Sequence, residues 1–240
     1  MKFGMNKSFL FIGIFCLLAL TLIAQFLKNP RDYKPLRSLR AEQRTGSNWR
    51  QLFRTLSFYK LWGMYIIASS AGLLLMGSLS SIAEQQLHLG NGFLFVILMG
   101  LSNGTGRLTI GMISDKIGVY WSYRIILVVQ GLNFLFFSHY NTAPTFILGT
   151  VIAGICYGGA VALVPVAAAE FGTQHLGENY AILNTGNGVG AVIGPIISSC
   201  LLDVTGSYET TYTVFSVALF AMMVFSFLQS SKLTLQKNIP

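Results

Sequence analysis

The residue with the clearest chemical potential is an arginine inside a long apolar stretch. Arg107 lies eight residues before Asp115, so in a helix it would be roughly 12 Å inside the end that Asp115 marks. A cation at that depth in a membrane costs from a few to over about 10 kcal/mol, so such residues usually face a cavity or a partner. The apolar segments hold no acidic side chain at similar depth.

The planar guanidinium group of Arg107 matches the two oxygens of a carboxylate, which makes an anionic substrate a natural partner. Two other interpretations remain open. The side chain reaches the membrane interface by snorkelling, or it binds backbone carbonyl groups. We favour contact with an anionic substrate.

Four more polar side chains lie at comparable depth in other apolar segments. Asn187 lies seven residues beyond Tyr180, roughly 10 Å into its helix. We expect it to line the same cavity as the arginine, and a hydrogen bond between helices is the equal alternative. Asn184 lies in the same segment. Tyr65 and Tyr157 are weaker candidates, since a tyrosine in such a segment more often packs against neighbours or lies at the interface.

The segment that holds both asparagines also carries a strip of small residues. Gly186, Gly190 and Gly194 recur at every fourth position, which places them on one face of a helix. Such a strip lets two membrane helices approach closely. We therefore predict helix packing for the three glycines.

A charged turn follows the segment that holds the arginine. It contains Gly111, Asp115, Lys116 and Gly118. Gly111 allows close approach of another helix, the two charges mark the water interface, and Gly118 permits a tight turn. We expect this turn to latch one helix bundle to another in one conformation and to release it in another. A polar turn with no switching role is the alternative, which the spacing alone favours.

The elements that must position these residues are membrane helices. Of the 240 residues, 53% are hydrophobic and 10% are charged, and the mean hydropathy is +0.60, whereas a soluble domain carries about 25% charged residues. This composition excludes an ordinary cytosolic enzyme, a nucleic-acid-binding protein and a disordered chain.

The predicted fold is all-α, a polytopic membrane protein with seven transmembrane helices, because seven segments approach the length of about 20 apolar residues that a spanning helix needs. They are Phe9–Leu27, Tyr59–Ala83, Gly92–Ile113, Tyr123–Phe137, Thr145–Ala169, Tyr180–Leu202 and Tyr212–Leu228, and the fourth can start as early as Val119. The predicted organisation is a first helix over residues 1–27, a basic loop over 28–58, a six-helix bundle over 59–230 and a tail over 231–240.

The distribution of lysine and arginine predicts the orientation. Thirteen of them lie on one side of the predicted spans, nine from Lys28 to Lys60, against only Lys2 and Lys7 on the other side. Because such residues accumulate on the cytoplasmic side, we expect the basic loop and the C-terminus in the cytoplasm and the N-terminus outside. The net charge of +8 therefore indicates orientation in a lipid bilayer, and not nucleic-acid binding. The loop is a further candidate for binding anionic lipid headgroups.

The charged turn is similar to the conserved loop of the major facilitator superfamily, Gly-x-x-x-Asp-basic-x-Gly followed by basic residues. Here Val119 and Tyr120 occupy the trailing basic positions, and the next basic residue is Arg124. Other motifs resemble the oxalate/formate antiporter branch of that superfamily, near the monocarboxylate transporters. These motifs are Lys28 to Pro35, Phe58 to Trp62, Ala71 to Leu73, Tyr157-Gly158 with Pro165, Glu170 to Gly172, Asn179-Tyr180 and Asp203 to Tyr208.

The resemblance implies a carrier with twelve spans in two six-helix halves. This chain corresponds to the sixth helix, the central loop and the C-terminal half, so we expect a fragment or a truncated form that needs a missing N-terminal half or a second copy. In related transporters, the arginine at the position of Arg107 binds the substrate carboxylate. A second basic residue, expected in the segment Tyr180–Leu202 of some dicarboxylate carriers, does not occur here. This favours a monoanion over oxalate.

These observations predict secondary transport of a small organic anion by alternating access, in a plasma or bacterial inner membrane. A monocarboxylate such as lactate or formate is the expected substrate, and oxalate is less favoured. The alternatives are a seven-helix receptor, or a remnant that only associates with other membrane proteins. We expect no enzymatic activity, no metal and no cofactor, since the sequence contains no phosphate-binding loop and no zinc-protease motif.

Overall fold

The computed structural model describes residues 49–88 and 92–227, and before them only residues 10, 13–15, 17–19, 21–22 and 25, which are helical. The chain divides into two compact units, residues 1–44 and 45–240, and every helix with defined bounds belongs to the second. The predicted first span, Phe9–Leu27, therefore lies largely outside the described residues. The basic loop up to residue 48 and the tail over 231–240 lie outside them entirely.

The described part of the second unit consists of one short helix and six long ones. In chain order they are α1 (Trp49–Leu52), α2 (Leu56–Leu87), α3 (Phe93–Ile117), α4 (Val119–Phe137), α5 (Ala143–Ala169), α6 (Leu176–Thr205) and α7 (Glu209–Phe227). Helix α1 lies inside the segment that the sequence predicts as a loop.

The six long helices are all long and apolar enough to cross a membrane. Even a helix of 19 residues, such as α4, is about 28 Å long, close to the thickness of the hydrocarbon core. The prediction of an all-α, multi-pass integral membrane protein is confirmed. Most helices extend beyond the predicted apolar segments, because helical hydrogen bonding continues past the last apolar residue into the polar interface.

Glycines bring the backbones of α3 and α5 into direct contact. A Cβ atom added at Gly154 of α5 would lie 2.7 Å from the carbonyl oxygen of Met99 on α3. A Cβ atom added at Gly158 would likewise meet the carbonyl oxygen of Asn103. One added at Gly106 on α3 would meet the carbonyl oxygen of Ile155. Glycine is required at such contacts because no side chain fits between the helices. Helix α5 thereby fixes the height and rotation of the helix that carries Arg107.

The glycine strip of α6 packs against α2. A Cβ atom at Gly186 would lie 3.0 Å from Cδ1 of Tyr65, and one at Gly190 would lie 3.0 Å from Cβ of Ser69. A Cβ atom at Gly194 would meet the carbonyl oxygen of Ser70. The strip therefore lies where helices α2 and α6 are closest, as a packing role requires.

Helices α3 and α6 each leave one face uncovered. In the most apolar stretch of α2 and of α5, 61% of the residues are buried, against 22% in α3 and 17% in α6. Leu101 and Leu108 on α3, and Val192 and Ile196 on α6, are exposed apolar side chains. In a membrane these faces contact lipid or another protein surface.

Gly118 alone connects α3 to α4. Its φ is +83° and its ψ is 162°, and its N–H donates to the carbonyl oxygen of Ser114 at 2.8 Å. This backbone conformation strongly favours glycine. Asp115 and Lys116 are exposed in the last turn of α3.

One expectation about this end of the bundle is wrong for the described residues. A Cβ atom at Gly111 would meet nothing within 4 Å, so the close approach expected there does not occur. The glycine of α3 that meets α5 is Gly106, one helical face away. Lys60 and Arg124, both inside predicted spans, lie inside α2 and α4 and are buried.

Candidate functional site

Tyr65 joins α2 to α6 through its hydroxyl group. The side chain is 1% exposed, and its hydroxyl donates a hydrogen bond to Oδ1 of Asn184 at 3.2 Å. Gly186 leaves room for the tyrosine ring, so the packing strip and the hydrogen bond hold the same side chain. The sequence predicts both Tyr65 and Asn184 as site residues without predicting that they are bonded to each other.

Tyr157 reaches the same region from α5. Its side chain is 8% exposed, and its polar neighbours are Asn187 and Arg107. Gly72 on α2 makes room for it, because a Cβ atom there would lie 2.6 Å from Cβ of Tyr157. The tyrosine is therefore held between α2, α3 and α6.

Asn187 has an unused hydrogen-bond acceptor. Its Oδ1 atom is buried and accepts no hydrogen bond from the described residues. Buried side-chain oxygens in proteins nearly always have a partner, which is either protein, water or ligand. This atom is therefore an acceptor without a partner among the described residues, beside the hydroxyl group of Tyr157.

Arg107 approaches both tyrosines from α3. Its Nε donates a hydrogen bond to Oδ1 of Asn103 at 3.2 Å, and Tyr65 and Tyr157 are its electrostatic neighbours. The guanidinium group has five N–H donors, so most remain available to a ligand. The side chain is exposed on the face of α3 that the described helices leave uncovered. The described helices therefore do not enclose Arg107.

Four helices bring the five predicted binding residues together. We refer to Tyr65, Arg107, Tyr157, Asn184 and Asn187 as the polar cluster. Arg107 is its only charged member, so the cluster has one positive charge and several hydroxyl and amide groups. It can bind a small molecule with one negative charge and further hydrogen-bonding groups.

Sequence reasoning missed two residues that border the polar cluster. Asn103 orients Arg107, and Tyr180 is an electrostatic neighbour of Tyr65. The available signal for Asn103 was its position four residues before the arginine, since residues at that spacing share a helix face. Asp115 and Lys116 lie about 12 Å along α3 from the cluster and are not part of it.

Metal binding finds no support in the described part of the chain. In that part, no three histidine, cysteine or acidic side chains are grouped closely enough to bind a metal ion. The polar cluster itself consists of phenol, amide and guanidinium groups.

Comparison with known proteins identifies the family. A model of the Major Facilitator Superfamily matches residues 92–238. The chain is 26% identical over 197 residues to an uncharacterized MFS-type transporter, YhjX, of Escherichia coli (79% of this chain, 48% of that protein). It is 25% identical over 225 residues to the oxalate:formate antiporter of Oxalobacter formigenes (90% and 52%).

A third relative is monocarboxylate transporter 12 of Mus musculus, which is 26% identical over 159 residues (64% of this chain, 32% of that protein). The chain spans about half the length of the first two relatives. The three are named as transporters or antiporters. With residues 92–238 matched by the family model and six membrane-length helices, the chain belongs to the Major Facilitator Superfamily.

Proposed function

We propose that this chain binds a small monocarboxylate anion in the polar cluster and moves it across the membrane, as part of a carrier that works by alternating access. The observation that carries the proposal is the position of Arg107. Its guanidinium group lies beside the hydroxyl-bearing side chains of Tyr65 and Tyr157, and its one side-chain bond to the described residues goes to a neutral amide, Asn103.

The polar cluster suits a monoanion. The free N–H groups of Arg107 can grip both oxygens of a carboxylate, which is the strongest geometry available to such a pair. The tyrosine hydroxyl groups add donors. Oxalate would bring a second negative charge without a second cation in the cluster, and an uncompensated charge in a poorly solvated site is costly.

A second hydrogen-bonding group on the substrate would complete the site. The unused Oδ1 of Asn187 accepts but does not donate, so it suits a hydroxyl group and not a carboxylate. A 2-hydroxy acid such as lactate carries a carboxylate for Arg107 and, on the adjacent carbon, a hydroxyl group for Asn187. We therefore place lactate ahead of formate. The names of the oxalate:formate antiporter and of monocarboxylate transporter 12 agree with an anionic substrate class.

Alternating access requires a second bundle against which this one moves. The uncovered faces of α3 and α6 are where that bundle would pack, and Arg107 is exposed on one of them. The second bundle would come from an N-terminal half or from another copy of the chain. The turn with Gly111, Asp115, Lys116 and Gly118 would latch the two bundles at their cytoplasmic end. This assigns the beginning of α2 to the cytoplasmic side.

Binding and transport need separate experiments because the chain spans about half of its relatives. Binding of radiolabelled lactate to the purified chain in detergent is measured by scintillation proximity, and transport by counterflow in proteoliposomes. We expect saturable binding that Arg107→Gln weakens at least about tenfold, since a charge-assisted hydrogen bond contributes about 1.5–3 kcal/mol. Arg54→Gln, which removes an exposed cation outside the cluster, should leave binding unchanged.

Two results would distinguish the hypotheses. Binding without counterflow would support the site. It would also indicate that the chain alone is a remnant that does not transport. Failure to bind lactate, formate or oxalate, with no effect of Arg107→Gln, would overturn the anion proposal. The superfamily assignment favours a carrier over the seven-helix receptor.

A further inference from the structure

A polar cavity lies at one end of the bundle, remote from the polar cluster. At this end α2, α4 and α6 finish and α3, α5 and α7 begin, and we refer to it as the Phe137 end. The cavity has a volume of about 290 Å³ and a mostly polar lining. Gln86, which lines it, follows Tyr65 by 21 residues on α2, about 32 Å along the helix axis. The cavity is therefore separate from the polar cluster.

Tyr212 on α7 brings a buried hydroxyl group to this cavity. Its side chain is 1% exposed, and its Oη atom forms no hydrogen bond with the described residues. The centroid of its ring lies 5.2 Å from that of Phe137 and 6.3 Å from that of Tyr208, so packing holds the ring in place. Buried hydroxyl groups in proteins nearly always have a partner. Because Tyr212 lines the cavity, a molecule bound there could supply that partner.

Gln86 contributes a second unused atom. Its Nε2 donates to the carbonyl oxygen of Phe137 at 3.2 Å, and its Oε1 is buried and accepts no hydrogen bond from the described residues. The bond to the carbonyl group fixes the orientation of the amide, since only the nitrogen can donate. The unused atom is therefore an acceptor. Tyr212 packs against the ring of the same phenylalanine, so both side chains with unused atoms contact Phe137.

The turn between α6 and α7 forms a fixed wall of the cavity. The N–H group of Gly206, whose φ is +69°, donates to the carbonyl oxygen of Leu202 at 2.8 Å. Oγ1 of Thr205 donates to the carbonyl oxygen of Ser207 at 3.0 Å, and Oγ of Ser207 accepts from the N–H group of Glu209 at 3.2 Å. These bonds hold the first residue of α7 beside the cavity. Among the described residues, Glu209 is the only charged residue of the lining, and it is exposed.

The described charges at the Phe137 end are acidic. Glu84 lies in the last turn of α2, Asp203 in the last turn of α6 and Glu209 in the first turn of α7. The histidines of this end, His88 and His139, are exposed and lie outside the cavity lining. The lysines and arginines of the described part of the chain lie elsewhere, and they are Arg50, Arg54, Lys60, Arg107, Lys116 and Arg124. An excess of negative charge attracts cations and repels anions.

We propose that the cavity at the Phe137 end binds a small organic cation through an ammonium group. An ammonium group has three N–H donors and no acceptor. The cavity offers it Oε1 of Gln86, Oη of Tyr212 and the carboxylate of Glu209 as acceptors. A carboxylate ligand would meet Glu209 without a cation to offset the two charges, so this site excludes the anions proposed for the polar cluster. The volume is close to the lower limit of about 300 Å³ for sites that bind compact molecules, and it exceeds what a bare metal ion needs.

The test compares two probes of the same size that differ in charge. Ethanolamine and ethylene glycol differ only in the ammonium group that replaces one hydroxyl group. Their binding to the purified full chain in a non-ionic detergent is titrated by saturation-transfer-difference NMR at low ionic strength, where charges on the surface are least screened. We expect ethanolamine to bind at least about tenfold more tightly than ethylene glycol.

Two variants test the proposed acceptors separately. Glu209→Gln should remove the preference for ethanolamine. Glu84→Gln is the matched control, because it makes the same charge change at an exposed residue of the same end, outside the cavity lining, and it should retain the preference. Tyr212→Phe should weaken ethanolamine binding about threefold to tenfold. It should not lower the midpoint of thermal unfolding, because the hydroxyl group has no partner among the described residues.

Four results would each overturn the proposal. They are equal affinities for the two probes, equal losses from Glu84→Gln and Glu209→Gln, full ethanolamine affinity in Tyr212→Phe, and a lower unfolding midpoint in that variant. Stronger displacement of ethanolamine by sodium chloride than by tetramethylammonium chloride would also overturn it, since the site would then prefer a metal ion. A preference for ethanolamine that Glu209→Gln removes and Tyr212→Phe weakens would establish an ammonium site, whether or not the polar cluster binds an anion.

Discussion

The hydroxyl group of Tyr65 on α2 donates a hydrogen bond to Oδ1 of Asn184 on α6, across 3.2 Å and between residues 119 positions apart in the chain. This bond joins one of the two most deeply packed helices of the bundle to one of the two that are least covered. It also fixes the position of Asn184 in the polar cluster. Asn187 lies one turn later on the same face of α6, so the bond aligns this residue as well. The alignment of α2 and α6 therefore determines the geometry of the site.

Tyr65→Phe removes this hydrogen bond and keeps the aromatic ring. We expect the free energy of unfolding to fall by about 1–2 kcal/mol, since Asn184 loses its donor, and lactate binding to weaken because Asn187 is less well aligned. Thermal unfolding in detergent and the binding assay measure the two effects. Tyr59→Phe is the control, as this tyrosine on the same helix is exposed. Equal effects of the two variants would contradict a specific role for the bond.

Gly190→Ala should separate α2 from α6. A Cβ atom there would lie 3.0 Å from both Cβ of Ser69 and the backbone nitrogen of Ser70, so we expect a loss of about 1–3 kcal/mol from overpacking. Gly188→Ala, two residues away, meets nothing within 4 Å. It should be neutral or stabilise the helix by up to about 1 kcal/mol. If the midpoint of thermal unfolding does not distinguish the two alanines, the glycine strip has no packing role.

Asn103→Asp should weaken anion binding without destabilising the bundle. The new carboxylate replaces the amide that now accepts from Nε of Arg107, and an acid four residues before an arginine forms a favourable pair on a helix. The paired arginine then has no net charge to offer, so we expect affinity for lactate to fall at least about tenfold. Thr105→Asp adds the same charge on another face of α3 and should have a smaller effect. Unchanged affinity in Asn103→Asp would exclude Arg107 as the anion contact.

Asn187→Ala tests the hydroxyl contact separately from the charge. Lactate and propionate differ only in the 2-hydroxyl group. The ratio of their affinities therefore measures the hydrogen bond that this hydroxyl group donates to the protein. We expect the wild-type chain to prefer lactate by about threefold to tenfold, and the alanine variant to lose that preference while it still binds propionate. A ratio that stays constant on substitution would assign the hydroxyl group to a different partner.

Hydropathy was sufficient to predict the six described spans, because length and apolar content are what a bilayer requires of a helix. Depth in the apolar segment was sufficient to single out Arg107. The neighbours of the polar cluster were harder to predict. Asn103 shares a helix face with the arginine, which is a local relationship, whereas the bond from Tyr65 to Asn184 depends on how two helices align along their length.

Helix rotation explains the errors. Gly106 and Gly111 lie on the same helix, and the spacing of residues within α3 does not say which of them faces α5. Arg124 lies one residue inside a predicted span, and its bond to Ser226, 102 positions further along the chain, could not be read from that position. Such contacts depend on tertiary packing, which sequence periodicity does not contain.

The single residue between α3 and α4 has a mechanical consequence. One residue spans at most about 3.6 Å, so Gly118 leaves the linked helix ends almost no slack. Arg107 lies on one helix of this hairpin and Arg124 on the other. A tilt of α3 must therefore move the first turn of α4 with it.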